Sequence, residues 1–403
     1  MTGSVLLTFN PGSSTIKLGL FVVKEGYPCR LGTGSIDLRH DPLSLHVVEG
    51  SETTDTPIKA AVTDDLHEVI DETLKWLRSH FSLSELAAVG HRVVHGGDRF
   101  AGPTLITDET LAEIEALVPL APLHQPQSVR LIKAVSHLRP GLPQIASFDT
   151  AFHRTQTDLV RRFALPRALF DEGIKRYGFH GLSYKFIAAQ IARVAPNIAR
   201  GRVVVAHLGS GASLCALEDG ISRDTSMGFS TIDGVPMATR CGALDPGVII
   251  HLVKKLKWPI EKVEDALYHH SGLLGTSGIS ADSRDLLNSP APEARETIEL
   301  FAFRIAREIA VLTNTLGGLD GIVFTAGIGE HQPQIRQAVC SYLGWLGVTI
   351  ADRANSSNAQ RIDAGGKVAV FVIATDEERV IAQESWCVLN STFPAAPHTE
   401  FVS

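Results

Sequence analysis

The sequence predicts an α/β protein whose core is duplicated and divided between two domains. The chain has 403 residues, which is too long for one ordinary hydrophobic core. Two stretches roughly half a chain apart, LLTFNPGSSTIKLGLF from Leu6 and VVVAHLGSGASLCALEDG from Val203, share a pattern of apolar run, Gly-Ser turn and apolar run. A third stretch, IVFTAGIGEHQPQIRQAV from Ile322, has the pattern of a strand, a glycine turn and a helix start.

The composition limits the partners and the location that we expect. Hydrophobic residues make up 44% of the chain and charged residues 20%, as in a soluble globular protein, and the net charge of −7 disfavours nucleic acid or an anionic membrane as the main partner. No apolar run reaches the ~18 residues of a membrane span, and MTGSVLLTFN lacks the basic start of a signal peptide. Five scattered cysteines without a C-x-x-C pair are typical of reduced thiols, so we expect a cytoplasmic protein.

The two Gly-Ser hairpins are candidate phosphate sites. A turn of small residues lets backbone N–H groups point into one concavity, which binds phosphate oxygens. A single hairpin of this kind is more often only a tight turn, but the second copy favours a duplicated domain with a cleft between the halves. Ser13, Ser14 and Lys17 are then expected to face a phosphate, and Asn10 a metal ion that accompanies it. No Walker A pattern is present in the sequence, which excludes a P-loop enzyme.

Several charged residues stand where a buried or irregular backbone is predicted. Arg92 lies in the strand-like run GHRVVHGG, where a ligand anion and a structural salt bridge are equal alternatives. Asp149 ends the apolar run IASFD, either facing a site or capping the next segment. His180 is held between two glycines, so its backbone can approach a ligand closely. The long irregular stretch 224–249 carries Arg240 as its only positive charge, and such loops tend to be functional.

These motifs together resemble those of the acetate kinases, a family within the sugar kinase, Hsp70 and actin superfamily. The resemblance covers nearly the whole chain in order, from FNPGSSTIK through GHRVVHGG, PLHQP, FDTAFH, RYGFHGLS, HLGSGAS, DTSMGF, TRCGALDPG, SGLLGTSGIS and FTAGIGE to ATDEE. It implies two ribonuclease-H-like, actin-like ATPase domains with mixed sheets flanked by helices and an interdomain cleft. The first domain, for the acyl substrate and phosphate, is expected at 1–150 plus 381–403, and the nucleotide-binding domain at 151–380. A homodimer is expected from the resemblance alone.

The resemblance also implies roles for individual residues. It assigns catalysis to Arg92, Asp149, His180 and Arg240, and a magnesium ion, for which Mn²⁺ can substitute, to Asn10 and Glu377. The residues expected to contact the acyl substrate are Arg92, Val94, Leu123, His124, Phe179 and Thr231. The residues expected to contact ATP or ADP are Lys17, Ser13, His207, Leu208, Gly209, Ser210, Gly211, Asp282, Ser283, Arg284, Gly327, Ile328, Gly329, Glu330 and His331.

The implied reaction is reversible phosphoryl transfer from ATP to acetate, giving acetyl phosphate and ADP. Phosphoryl transfer needs positioning and neutralisation of charge more than covalent chemistry. Two arginines, one histidine and Mg²⁺ would surround the equatorial oxygens of the transferred group with positive charge. A carboxylate acceptor is already anionic, so Asp149 is expected to orient Mg²⁺ or the acceptor rather than to remove a proton.

Four departures from the family pattern keep rival functions open. Ser210 replaces an asparagine, Thr231 a proline, Ala238 a glycine and His331 an asparagine. Thr231 belongs to the expected wall of the acyl pocket, so a propionate kinase with the same mechanism is the nearest alternative. His331 would lie beside the adenosine and keeps a pyrophosphate-type donor open. A non-enzymatic nucleotide-driven switch of the actin or Hsp70 type would need no carboxylate pocket, and Arg92, Arg240 and His180 together argue against it.

Overall fold

The structure is a computed structural model that describes residues 4–12, 15–39, 42–61, 63, 65–83 and 85–392. It has the predicted α/β architecture, with two mixed sheets flanked by helices. The chain divides into two compact units, one formed by Met1–Ala151 and Asp376–Ser403 and the other by Phe152–Thr375. The sequence places the two breaks after residues 150 and 380. The structural break at Thr375 precedes the last helix, because that helix packs on the strands of the first sheet.

The described part of the chain contains thirteen strands and sixteen α-helices. The strands are β1 (Val5–Pro11), β2 (Thr15–Lys24), β3 (Tyr27–Asp37), β4 (Leu43–Glu49), β5 (Glu52–Ile58), β6 (Ala88–Val93), β7 (Thr104–Leu105), β8 (Gln144–Phe148), β9 (Arg202–Leu208), β10 (Ala212–Glu218), β11 (Ile221–Thr225), β12 (Gly321–Thr325) and β13 (Ala369–Val372). The helices are α1 (His67–His80), α2 (Asp108–Ala116), α3 (Gln125–Leu138), α4 (Asp158–Arg161), α5 (Arg167–Asp171), α6 (Gly181–Val194), α7 (Pro196–Ala199), α8 (Pro246–Lys254), α9 (Ile260–His269), α10 (Gly272–Ser277), α11 (Ser283–Asn288), α12 (Pro292–Leu316), α13 (Ala326–His331), α14 (Pro333–Ser341), α15 (Asp352–Ser356) and α16 (Glu377–Thr392).

The first unit is built on an eight-stranded mixed sheet with the order β5-β4-β3-β2-β1-β6-β8-β7. The first Gly-Ser hairpin is formed by β1 and β2, which are antiparallel and place Asn10 opposite Lys17. Strands β6 and β8 continue the sheet parallel to β1. The carboxyl ends of these three parallel strands meet at one edge of the sheet, which brings Asn10, Arg92 and Asp149 to the same place.

Helices cover both faces of this sheet, as the alternation of side chains along β1 requires. Leu7 faces the core beneath α1 and α3, whereas its neighbour Leu6 faces Ala382 of α16. The approach of α16 to β6 depends on a glycine, because a Cβ on Gly90 would lie 2.4 Å from the Oγ of Ser385. The C-terminal helix is therefore an integral part of the first unit.

The second unit repeats the core of the first on a five-stranded sheet with the order β11-β10-β9-β12-β13. Strands β9, β10 and β11 are antiparallel neighbours, and β12 and β13 continue parallel to β9. The strands β3-β2-β1-β6-β8 of the first unit have the same order and directions. The duplication predicted from two Gly-Ser hairpins is therefore visible in the sheet topology.

The longest helix, α12, covers the sheet of the second unit. It buries Phe301, Ile305, Ile309, Leu312 and Leu316, a spacing of three to four residues that places them on one side of the helix. Its other side carries charged residues. No helix among the described residues, α12 included, is long and apolar enough to cross a membrane.

Candidate active site

The first unit gathers polar side chains where β1, β6 and β8 end. Asn10 is 3% exposed, and its amide nitrogen donates to Glu377 Oε2 and to Glu378 Oε1, each 2.8 Å away. Lys17, opposite Asn10, is exposed and contributes positive charge near Glu378. The predicted phosphate ligands at positions 13–14, Ser13 and Ser14, lie outside the described residues. The structure thus places Asn10, Lys17 and Glu377 near the same strand ends.

Arg92 and Asp149 form an ion pair inside this cluster. Arg92 Nη2 donates to Asp149 Oδ2 over 2.6 Å, and Arg92 Nε donates to both carboxylate oxygens over 3.1 and 3.2 Å. Burial opposes the charge on Arg92, but the carboxylates of Asp149 and Glu377 outweigh it and raise the pKa of Arg92 above its ordinary value. Arg92 Nη1 also donates to Asn10 Oδ1 over 3.1 Å. The salt bridge left open by the sequence is therefore present, and it connects Arg92 to the asparagine of the first hairpin.

This cluster fits a divalent cation such as Mg²⁺. Glu377 and Glu378 hold two carboxylates beside the Asn10 carboxamide, and burial together with repulsion from Glu377 raises the pKa of Glu378. A bound cation would relieve that repulsion. Mg²⁺ uses one or two protein carboxylates and completes its shell with water and phosphate oxygens. The described residues contain no group of three or more His, Cys, Asp or Glu side chains that could hold a metal ion, which is compatible with a site of two carboxylates and one carboxamide.

Glu378 is a residue of this site that the sequence motifs did not predict. The motif ATDEE places three carboxylates in succession, Asp376 to Glu378, and the resemblance assigns a role to Glu377 alone. Adjacent carboxylates that follow an apolar strand are a detectable signal, because two buried like charges need a shared cation or a donor. The structure supplies Asn10 as that donor.

The predicted acyl-pocket residues are divided between the two units. Val94, Leu123 and His124 belong to the first unit, and Phe179 and Thr231 to the second. Val94 and Phe179 are each 1% exposed, whereas Leu123 is 38% exposed. In the first unit Gln125 joins the segments of Val94 and Leu123, because its Oε1 accepts from His95 N and its Nε2 donates to His95 O, both over 3.0 Å. Nothing in the sequence indicated that the Gln125 side chain binds both backbone groups of His95.

The second Gly-Ser hairpin, formed by β9 and β10, supplies the turn His207–Gly211. Gly209 N donates to Gly211 O over 3.1 Å, which closes the turn. Leu208 is fully buried, whereas Ser210 at the tip is exposed and its carbonyl accepts from Ala238 N over 3.2 Å. The backbone of the turn, rather than the Leu208 side chain, is therefore the part that a ligand can reach.

His180 and Arg240 converge on this turn. A Cβ on Gly211 would lie 2.8 Å from Arg240 Nη2 and 3.4 Å from His180 Nε2, so both polar groups face the same piece of backbone. His180 has a left-handed backbone (φ 56°) at the N-terminus of α6, and its ring stacks on that of His207 with centroids 4.3 Å apart. Arg240 Nη1 donates to the carbonyl of Thr231 over 2.7 Å. The second unit thus joins two predicted catalytic groups to a phosphate-type turn.

Two predicted nucleotide-binding segments lie side by side in the second unit. The side chain of Gln332, which follows His331, donates through Nε2 to Ser283 Oγ over 2.7 Å. Asp282 caps α11 by accepting from Arg284 N over 2.8 Å, and the hydrogen-bonded Arg284 side chain lowers the pKa of Asp282. The segment 282–284 is therefore attached to the third glycine turn.

The third glycine turn forms the short helix α13 directly after β12. Glu330 Oε1 accepts from the backbone N–H groups of Ala326 and Thr375 over 2.7 and 3.1 Å. Arg336 is fully buried and donates through Nη1 to the carbonyls of Gly329 and Glu330 over 2.8 and 3.0 Å. The sequence predicted a helix through Arg336 but gave no sign that its guanidinium points inward. The predicted nucleotide-binding turn is thus held in shape by a buried arginine.

Comparison with known proteins gives a consistent result along the whole chain. The profile of the acetokinase family matches residues 5–383. An acetate kinase of Rhodopseudomonas palustris is 48% identical over 393 residues, which are 95% of this chain and 98% of that protein. An acetate kinase of Rickettsia prowazekii is 38% identical over 382 residues, covering 94% and 98%.

Two solved structures are similar in fold as well as in sequence. A propionate kinase from Francisella tularensis has a TM-score of 0.87 at 34% identity and covers 94% of this chain and 98% of its own. The acetate kinase of Porphyromonas gingivalis has a TM-score of 0.85 at 31% identity, with coverages of 96% and 100%. Both names describe enzymes that phosphorylate a short carboxylic acid.

Proposed function

The chain belongs to the acetokinase family, and on that premise we propose that it catalyses the reversible, Mg²⁺-dependent transfer of the γ-phosphoryl group of ATP to acetate. The products are acetyl phosphate and ADP. The observation that carries the proposal is the convergence of His180 Nε2 and Arg240 Nη2 on the backbone of Gly211. Donors aimed at one point of a phosphate-type turn are what a transferred phosphoryl group requires.

The nucleotide is proposed to bind through the glycine turns. Backbone N–H groups of the turn His207–Gly211 bind its phosphates, with Lys17 and Ser13 contributing from the first hairpin. The segments Asp282–Arg284 and Gly327–His331 lie along the nucleoside. Their mutual attachment through Gln332 and Ser283 supports a common role.

Mg²⁺ is proposed to be held by Asn10 and Glu377, and Mn²⁺ can replace it because both accept oxygen ligands. When bound with the nucleotide, the metal supplies positive charge that neutralises phosphate oxygens. Glu378 assists by sharing the Asn10 amide with Glu377. ATP and ADP are the substrates whose phosphates complete this site.

The acid is proposed to meet Arg92, whose guanidinium forms charge-assisted hydrogen bonds to carboxylates. Acetate brings no proton to remove, so no general base is needed. Asp149 is engaged in three hydrogen bonds from Arg92, and its role in the reaction is to orient that guanidinium. The residues proposed to line the site for the acyl group are Val94, Leu123, His124, Phe179 and Thr231.

The reacting oxygens of phosphate are proposed to be stabilised by His180 and Arg240. The attacking acetate oxygen forms a bond to the γ-phosphorus while the bond to the β–γ bridging oxygen breaks and ADP leaves. Negative charge spreads over the equatorial oxygens of the transferred group during this step. An N–H group of the His180 imidazole and the guanidinium of Arg240 both donate to such oxygens.

A propionate kinase with the same mechanism is the second candidate. The feature that favours it is Thr231, where the family pattern has a proline, together with the similarity to a solved propionate kinase. Only His331 favours a pyrophosphate-type phosphoryl donor. A nucleotide-driven switch would need no carboxylate pocket, so it does not explain the presence of Arg92 and Arg240. The main proposal therefore stays with acetate and ATP.

A homodimer is proposed from the surface of the second unit. Helix α8 buries none of its residues, and Val248, Ile250, Leu256 and Ile260 are 41%, 55%, 51% and 59% exposed. Exposed apolar side chains close together in the sequence are the kind of surface that a partner copy could cover. Light scattering should give twice the chain mass, and an Ile250→Asp variant should be monomeric; a monomeric parent protein would contradict the proposal.

A cytoplasmic location is proposed from the cysteines. All five are free thiols, and Cys29 and Cys387 are exposed. Exposed free thiols persist where glutathione and thioredoxin keep them reduced. Cell fractionation should recover the protein with the cytoplasmic fraction rather than with secreted proteins.

The test of the proposed activity is trapping of the acyl phosphate. The protein is incubated with Mg-ATP, hydroxylamine and each acid from formate to butyrate, and the hydroxamate is measured. Strong product with acetate supports the main proposal, and a higher kcat/KM for propionate transfers it to the second candidate. No hydroxamate with any acid, from a protein that binds ATP, rejects both.

A further inference from the structure

A hydrogen-bonded chain in the second unit ends on the imidazole of His180. The Nδ1 atom of His180 lies 2.8 Å from Ser213 Oγ, and the hydroxyl of Tyr184 forms a short hydrogen bond to the same oxygen. Tyr184 and Ser213 are both fully buried. Neither residue belongs to the set assigned to substrate, and neither was singled out in the sequence.

The three residues are held by rigid elements rather than by loops. His180 stands at the N-terminus of α6, and Tyr184 follows one turn later, where Tyr184 N donates to His180 O over 3.1 Å. Ser213 lies on β10 opposite His207 of β9. Side chains four residues apart share one face of a helix, so α6 presents the phenol and the imidazole to the same serine.

The order of donors follows from acidity. A phenol is a stronger acid, and so a better donor, than an alkyl hydroxyl. Tyr184 therefore donates to Ser213 Oγ, and the single proton of Ser213 is directed to His180 Nδ1. The imidazole must then carry its proton on Nε2, which is the atom that faces Gly211 and Arg240.

Two polar side chains lie close to the imidazole of His180. Its neighbours include His207, stacked at 4.3 Å with an interplanar angle of 15°, and Arg240, whose Nη2 approaches the same Gly211 backbone. In the neutral form of an imidazole, which carries a single ring proton, the tautomer decides whether Nε2 can donate a hydrogen bond. The hydrogen bonds from Tyr184 through Ser213 therefore act on the tautomer of that form.

We propose that Tyr184 and Ser213 are positioning residues that hold His180 in the Nε2–H tautomer, so that it donates a hydrogen bond to the transferred phosphoryl group. This inference rests on the proposed function of His180. Without the phenol, Ser213 is free to accept from Nδ1–H, and His180 then exposes a lone pair at Nε2. A lone pair repels phosphate oxygens, so the loss appears in the chemical step rather than in substrate binding.

The test combines kinetics with the ¹⁵N NMR signature of His180 in the full-length protein. Tyr184→Phe and Ser213→Ala each remove one hydroxyl, and His180→Ala identifies the resonance. We expect Tyr184→Phe and Ser213→Ala to lower kcat about 10-fold or more, as loss of an orienting partner typically does, with KM for ATP and acetate little changed. The spectra, recorded without substrates, should change from a single Nε2–H tautomer to a mixture.

Ser222→Ala is the matched control, because Ser222 is also buried and its Oγ lies 2.9 Å from the Nδ1 of another buried histidine, His153. It should leave kcat and the His180 spectrum unchanged. Folded Tyr184→Phe and Ser213→Ala proteins with a wild-type tautomer and kcat would overturn the inference, as would an equal loss of kcat in Ser222→Ala. If the wild-type protein forms no hydroxamate, the proposed function is rejected. The NMR spectra still determine the tautomer of His180 in that case, so the two failures can be distinguished.

Discussion

Arg92 and Asp149 are joined by three hydrogen bonds in the interior of the first unit, although 57 positions separate them in the sequence. Their side chains are 12% and 1% exposed. Such a pair is costly to break from one side, because the remaining charge stays buried without this partner. The same guanidinium donates to Asn10, so the pair also connects two strand ends.

Replacing Arg92 is therefore expected to impair both stability and activity. Arg92→Ala should lower the free energy of unfolding by about 3–5 kcal/mol, measured by urea denaturation, and should abolish acetate-dependent ADP formation. The control is Arg99→Ala, because the Arg99–Glu113 pair of the same unit lies at the surface and should contribute little to stability. An equal loss of unfolding free energy in the two variants would show that the buried pair contributes no more to stability than the exposed pair.

Removal of one carboxylate of the proposed metal site is expected to weaken the response to Mg²⁺. Glu377→Gln keeps the shape of the side chain but removes its charge, so the Mg²⁺ concentration for half-maximal rate should rise about 10-fold or more. Glu384→Gln, on the same helix and also buried, is the control. An unchanged Mg²⁺ requirement in Glu377→Gln would remove Glu377 from the proposed site.

The buried Arg336 should control nucleotide binding without touching the nucleotide. Arg336→Lys retains a positive charge but loses the planar fork that donates to both Gly329 and Glu330. We expect KM for ATP to rise about 10-fold, the size of effect seen when an orienting partner is lost, with KM for acetate unchanged. Arg223→Lys, in an exposed pair with Glu218, serves as control, and parallel increases in both KM values would point to general misfolding.

Acidification should destabilise the fold through buried histidines. Burial lowers the pKa of His91 to about 4, and the same holds for His153. Between pH 6.5 and 4 the unfolded chain binds protons that the folded chain does not, so stability is present above pH 6.5 and is lost as the pH falls towards 4.

A His91→Gln variant isolates one of these histidines. It keeps a polar side chain beside Gln144, the hydrogen-bond partner of His91, but does not titrate. Its unfolding free energy should vary less steeply between pH 6.5 and 4, by roughly 1 kcal/mol per pH unit. Urea titrations at several pH values measure this slope, and a slope equal to that of the parent protein would contradict the pKa assigned to His91.

Local pattern is sufficient to predict the two Gly-Ser hairpins. Each of the two Gly-Ser hairpins is contiguous in sequence, and its turn chemistry and flanking apolar runs by themselves indicate the strand pairs β1–β2 and β9–β10. Their duplication also indicates the repeated sheet order. The strand ends that carry Arg92 and Asp149 are recognisable for the same reason, since a charged residue at the end of an apolar run is a local signal.

Contacts between distant segments could not be read from the sequence. The resemblance to the acetate kinases implies a shared role for Asn10 and Glu377, but these residues are 367 positions apart, and their direct contact becomes visible only when α16 packs on the first sheet. The inward orientation of Arg336 and the two hydrogen bonds between Gln125 and His95 depend on backbone groups of distant segments. Tertiary packing determines which of these groups come close, and the periodicity of hydrophobic residues does not predict it.

The most direct test of the central claim follows an oxygen atom. The protein is incubated with Mg-ATP and acetate labelled with ¹⁸O, and the acyl phosphate is cleaved with hydroxylamine, which attacks the acyl carbon and releases phosphate. If a carboxylate oxygen attacks the γ-phosphorus, each released phosphate carries one acetate-derived oxygen. Unlabelled phosphate, or ATP hydrolysis without hydroxamate, would contradict phosphoryl transfer to the acid.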